Sequence, residues 1–308
     1  MAKAWTGALH AFGFFVLATS LDRIGATAQI SADAPANNSA RVALQERRNS
    51  ELDLEIGGEL AAVPRGTTRY IWREELLKLP QVTYAVSNDA NFKGPVEISG
   101  VLLEELISAL GGSSPANLVV AICSDQYRAN YPQEYVRAHH PVLVLKIDGK
   151  APREWPTEGE GHGAHMGPFL ISHAKFAPSF KILAHEDEPQ IPWGVTRLEF
   201  RDEQRVFATI APRGPHAGDA NMQAGFRIAQ QNCFRCHNMG EEGGKKSGRP
   251  WSVLAAWATA GPEHFISYVR NPRADNPNTR MAASPQYDDA TMKALIDYFR
   301  AFTPQEKP

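Results

Sequence analysis

The sequence predicts an α+β domain over residues 51–210 followed by an all-α domain over residues 219–308. Three observations carry this reading. Strand-like and helix-like periodicities are mixed in the first stretch, whereas apolar residues recur at helical spacing in the second. Between them, Ala211-Pro212-Arg213-Gly214-Pro215-His216-Ala217-Gly218 is a Pro/Gly-rich linker, residues 211–218. A chain of 308 residues suits two domains, and no internal repeat is visible.

The elements follow in chain order. Lys3, an apolar run over residues 11–18 and the small-residue site Ala26-Thr27-Ala28 read as a signal peptide over residues 1–28, which predicts export to the periplasm. The apolar run is much shorter than the ~20 residues a membrane span needs, so no stable span is expected after cleavage. Residues 29–50, rich in Ala, Asn, Ser and charge, read as a flexible leader. In the first domain, residues 82–86, 118–123, 142–147 and 195–200 read as strands, and residues 102–110 as a helix closed by Gly111-Gly112.

In the second domain, Asp219 is placed to cap a helix carrying Met222, Gly225, Phe226 and Ala229 on one face. Residues 250–260 carry Val253, Leu254 and Trp257 at helical spacing. A further helix starts at Gly261-Pro262, with proline at its first position, and ends before Asn271-Pro272. The last starts near Asp288 and carries Met292, Leu295, Ile296, Phe299 and Phe302.

Chemistry is concentrated in Cys233-Phe234-Arg235-Cys236-His237. This C-x-x-C-H spacing attaches a haem covalently: two thioethers hold the porphyrin and the adjacent His237 is the proximal iron ligand. No second C-x-x-C completes a four-cysteine zinc site, and no βαβ pattern supports a thioredoxin-like pair. Cys123, the third of three cysteines, lies on an apolar strand and reads as an inert core thiol, so no disulfide framework is expected. The remaining candidate metal ligands are His139-His140, His173, His185, and His162 and His165, the last two three apart in a glycine-rich loop. The formal net charge of −2 gives no sign of nucleic acid or an anionic membrane as partner, and neither is expected.

Gly225 two helical turns before the first haem cysteine, with Tyr298-Phe299 in a terminal helix, resembles class I cytochrome c over about residues 218–305. The sequence departs from that family at Ala229, where an aromatic is usual, which implies a looser helix contact. The resemblance implies a sixth iron ligand from the loop before the last helix, where Met281 stands; Met222, Met239 and Met292 are its rivals. It also implies a proline carbonyl that accepts the Nδ1 proton of His237, for which Pro250 is the matching residue.

The order Gly100-Val101-Leu102-Leu103-Glu104-Glu105-Leu106, Asp125-Gln126-Tyr127, Gly167-Pro168-Phe169-Leu170-Ile171 and Trp193-Gly194-Val195-Thr196-Arg197-Leu198-Glu199-Phe200 resembles the molybdopterin-binding domain of the sulfite oxidase family. In that family a cysteine bound to molybdenum precedes the Gly-Val-x-Leu helix. Here the matching segment, Ala85-Val86-Ser87-Asn88-Asp89, has none, so a molybdopterin centre is not expected. The two resemblances together imply a sulfite-oxidase-like domain joined to a monohaem c-type cytochrome. Its expected task is to carry electrons from a dehydrogenase partner towards the respiratory chain, with the first domain docking the donor. The alternatives are a small molybdopterin-dependent oxidoreductase with a built-in haem acceptor, and a haem-based sensor with an exchangeable axial ligand.

Overall fold

The computed structural model describes residues 41–87, 89–111, 116–157, 164–174 and 187–303. The signal peptide, the leader up to residue 40, His162 and His185 lie outside the described residues. Residues Ser39–Pro308 form one compact unit.

The N-terminal region is built on a nine-stranded sheet. Its elements are β1 (Leu54–Gly58), β2 (Arg69–Ile71), α1 (Arg73–Leu76), β3 (Val82–Val86), β4 (Val96–Leu102), α2 (Leu103–Ala109), β5 (Leu118–Cys123), β6 (Arg128–Pro132), α3 (Gln133–His139), β7 (Val142–Ile147), β8 (Phe169–Ser172), β9 (Trp193–Arg201) and α4 (Glu203–Ala208). The strand order is β2-β1-β9-β8-β7-β4-β3, with β5 pairing β9 and β6. All pairings are antiparallel except β1 with β9. Helices α1, α2 and α3 bury Leu76, Leu106 and Val136 in the core on one face of the sheet; Val86, Ile98, Val144 and Leu170 form a smaller core with Trp155 and Met166.

The described part of the expected leader is tied down. Backbone bonds join Gln45 to Tyr70 in both directions, at 2.8 and 2.9 Å, and Val42 and Leu44 pack on the main core. Two apolar side chains and an edge-strand partner suffice to hold this segment, which composition alone reads as loose.

The C-terminal region is helical: α5 (Ala220–Gln231), a short ribbon of β10 (Asn238–Met239) and β11 (Glu242–Gly243), then α6 (Trp251–Ala260), α7 (Pro262–Arg270), α8 (Pro272–Asp275) and α9 (Asp289–Arg300). Asp288 caps α9, its carboxylate accepting from Thr291 N at 2.8 Å. Asp219 precedes α5 without a side-chain cap bond; its carboxylate meets His216 Nδ1 at 3.0 Å instead.

Strand β5 joins the two regions. Val119, Ala121 and Cys123 point into the sheet's own core, while Leu118 and Val120 belong to the core of the C-terminal helices together with Phe207, Phe234 and Met292. A strand covered on both faces reads as one continuous apolar run, as this one does. The junction is reinforced by Tyr298 donating to the Ile210 carbonyl at 2.6 Å, by Lys246 paired with Asp125 at 2.8 Å, and by Glu242 receiving both Arg128 and Arg201.

The Pro/Gly-rich linker therefore does not separate two independent cores. A chain cut at Gly214 is expected to expose Leu118, Val120 and their helical partners to water, costing roughly 1.5–3 kcal/mol for each large side chain laid bare. Thermal unfolding of the isolated fragment from residue 215 should fall several degrees below that of the intact chain; equal melting temperatures would mean that the shared core adds no stability.

Candidate functional site

Helix α5 delivers the C-x-x-C-H loop. After Asn232 the backbone tightens into a 3₁₀ turn over Cys233–Arg235, which turns Phe234 inward, fully buried against Phe207 and Trp251. With Phe234 anchored, Cys233, Arg235, Cys236 and His237 all line one cavity of about 460 Å³. That lies within the usual ~300–1,000 Å³ of small-molecule sites.

The following ribbon folds back on the loop: Gly244 N donates to the Phe234 carbonyl at 2.9 Å and Ser247 N to the Cys236 carbonyl at 3.1 Å. A Cβ at Gly244 would lie 1.8 Å from the Arg235 carbonyl oxygen, so this return path requires glycine.

His237 is 9% exposed, and its Nδ1 lies 2.8 Å from the Arg249 carbonyl and 3.0 Å from Ser247 Oγ. An Nδ1 proton donated to that carbonyl leaves Nε2 with its lone pair for the cavity. Burial pushes the imidazole pKa down, which keeps the ring in the neutral form a metal ligand needs. The resemblance had implied Pro250 as acceptor, and the geometry corrects this by one residue. The Pro250 carbonyl begins α6 and accepts from Val253 N at 2.9 Å, and the carbonyl beside the imidazole is that of Arg249, which also accepts from Ser247 Oγ at 3.2 Å.

Of the four candidate methionines, Met281 alone is among the residues lining the cavity. Met222 and Met292 are buried in the helical core, and Met239 packs against its edge. The Met281 loop is held by Met281 N donating to Thr279 Oγ1 at 3.2 Å, with Thr279 Oγ1 lying 3.3 Å from the Tyr268 hydroxyl. Leu254, Trp257, Phe265, Val269 and Leu295 supply apolar wall.

Two thiols, a neutral imidazole and a thioether on one apolar cavity suit a covalently held haem. They do not suit a dithiol redox pair. Burial pushes Cys233 up to about 12 and Cys236 up to about 11, whereas a nucleophilic cysteine needs a lowered pKa.

Sequence reasoning missed the wall contributed by the N-terminal region. Tyr127, in the turn between β5 and β6, lines the cavity. Lys246 also lines it, stacked over the Tyr127 and Trp193 rings at 5.4 and 5.6 Å. The one available signal was the turn Asp125-Gln126-Tyr127, whose polar and aromatic pair faces the haem loop.

The other expected candidates lie apart. Cys123 is 2% exposed in the sheet core, and burial raises its thiol pKa well above the ordinary value. That burial fits the packing role expected of this thiol. Cys123→Ser should retain haem content and cost ~1–3 kcal/mol through a buried hydroxyl left unpaired; molybdenum present in the wild type and lost in the variant would overturn that reading. His165 is exposed and its Nδ1 accepts from Gly167 N at 3.2 Å. Among the described residues no cluster of three or more His, Cys, Asp or Glu could hold a metal ion, and no helix is long and apolar enough to cross a membrane.

Residues 220–299 match the family model described as cytochrome c oxidase, cbb3-type, subunit III, and so form a c-type cytochrome domain. Among solved structures, the crystal structure of the sulfane dehydrogenase SoxCD from Paracoccus pantotrophus is similar at a TM-score of 0.34 and 17% identity, over 56% of this chain and 45% of that one. The chain thus spans under half the length of that structure. No curated protein matches the chain.

Proposed function

We propose that this chain is an exported, periplasmic monohaem c-type cytochrome that takes electrons from a dehydrogenase partner and passes them towards the respiratory chain. The carrying observation is the convergence of Cys233, Cys236, His237 and Met281 on one apolar cavity. When bound, haem supplies a one-electron iron couple. The residues of the chain do the rest. Cys233 and Cys236 tether the porphyrin, and His237, oriented by the Arg249 carbonyl and Ser247, presents Nε2 as the proximal ligand. Met281 offers a soft, neutral sulfur, a ligand type that favours reduced iron. Leu254, Trp257 and Phe265 exclude water, which limits reorganisation when the charge changes. The N-terminal region, which shares a core with the cytochrome domain and reaches its cavity through Tyr127, is the docking platform for the donor in this reading.

The test is the cofactor content of protein expressed in the periplasm. One covalent haem per chain in the pyridine haemochrome spectrum, low-spin and unreactive to carbon monoxide, with no molybdenum or pterin, is the expected result. Stoichiometric molybdenum would replace this reading with that of a haem-linked oxidoreductase, and carbon monoxide binding by the wild type would replace it with that of a sensor.

A further inference from the structure

Arg235 is the second variable residue of the C-x-x-C-H loop, a position that haem attachment leaves chemically free. Here it carries a permanently charged guanidinium into the cavity wall. Its Nη2 donates to the Pro189 carbonyl at 3.3 Å, its Nε is buried without a hydrogen-bond partner, and it lies beside the Tyr127 phenol. The Tyr127 hydroxyl and the Glu188 carboxylate stabilise its charge from close by. Of the other cations lining the cavity, Lys246 pairs with Asp125 at 2.8 Å, and Arg249 lies over the Trp257 and Tyr268 rings at 5.0 and 5.8 Å. A buried cation costs several kcal/mol unless something compensates it. Three of the groups around Arg235, the Pro189 carbonyl, the Tyr127 ring and Glu188 close by, come from the N-terminal region.

We propose that Arg235 is a positioning residue of electrostatic kind: its buried charge, fixed in place by the N-terminal region, raises the reduction potential of the haem. The inference rests on the haem reading above. A cation in a low-dielectric wall disfavours the more positive, oxidised iron relative to the reduced iron, and Arg235 lines the cavity itself whereas Glu188 does not. The N-terminal region thereby acquires a task beyond docking, since Tyr127 and Pro189 decide where the charge stands.

The test is an equilibrium redox titration of the full chain. Arg235→Gln should be about tenfold less reduced at a fixed ambient potential, a shift of about 59 mV for one electron. Arg235→Lys, which keeps the charge, should stay within about twofold of the wild type. If the Gln variant does not mature, Arg235→Met serves as the uncharged replacement. An uncharged variant that carries haem and titrates with the wild type overturns the inference, as does a Lys variant that shifts as far as Gln, since that would mark a packing role. Failure of the underlying reading is separately visible, because a wild type without covalent haem gives no haemochrome spectrum to titrate.

Discussion

Gly225→Val should prevent the cytochrome domain from closing around its haem. Helices α5 and α9 cross at this residue, and a Cβ there would lie 2.1 Å from the Ala294 carbonyl oxygen and 2.7 Å from Tyr298 Cβ. The first obstacle is helix backbone, which cannot rotate away, so the helices must separate. Overpacking usually costs ~1–3 kcal/mol, and a backbone obstacle places this variant at or above the upper end. That corresponds to a melting temperature roughly 6–12 °C lower, at ~2–4 °C per kcal/mol for a chain of this size. Separation would also part Phe226 from Tyr298, whose rings lie 6.0 Å apart, and loosen the helix that presents Cys233. Haem yield and thermal unfolding check this. Gly218→Ala, with nothing within 4 Å of its added Cβ, is the control and should stay within about 0.5 kcal/mol. A Val variant as stable and as haem-rich as that control would show that the crossing is not tight.

Met281→Ala should leave the haem attached, because the thioethers are untouched, but open the distal side. The methionine-to-iron charge-transfer band should vanish and carbon monoxide should bind. Met222, Met239 and Met292 do not line the cavity: Met292 is fully buried in the helical core, Met222 is 7% exposed within it, and Met239 packs against its edge. If the variant keeps the band and still refuses carbon monoxide, the sixth ligand is another residue and the Met281 loop has a purely structural role.

Much of this architecture is legible in the sequence where the pattern is local and regular. Strands Leu118–Cys123 and Val142–Ile147 and the helices of the cytochrome domain stand where their periodicities put them. Strand β4 is the instructive miss. Gly100 interrupts its alternation, and the strand runs directly into α2, so its apolar residues read as the start of a helix. In place of the looser contact implied by Ala229, the structure shows α5 and α9 tightly crossed, because Phe226 supplies the aromatic partner of Tyr298 from a neighbouring position.

The sequence by itself determined the chemistry of the site. Two cysteines at fixed spacing and the adjacent histidine form a motif whose geometry is local, independent of the rest of the fold. The tertiary structure decided everything that depends on which elements meet. It placed Met281, of four methionines, on the cavity wall, set the Arg249 carbonyl beside His237 Nδ1, and turned β5 into a strand buried on both faces. It also set Tyr127 and the buried Arg235 in the cavity wall. The physical reason is that periodicity records which face of an element is apolar, while the identity of the surface covering that face is fixed by packing between residues distant in the chain.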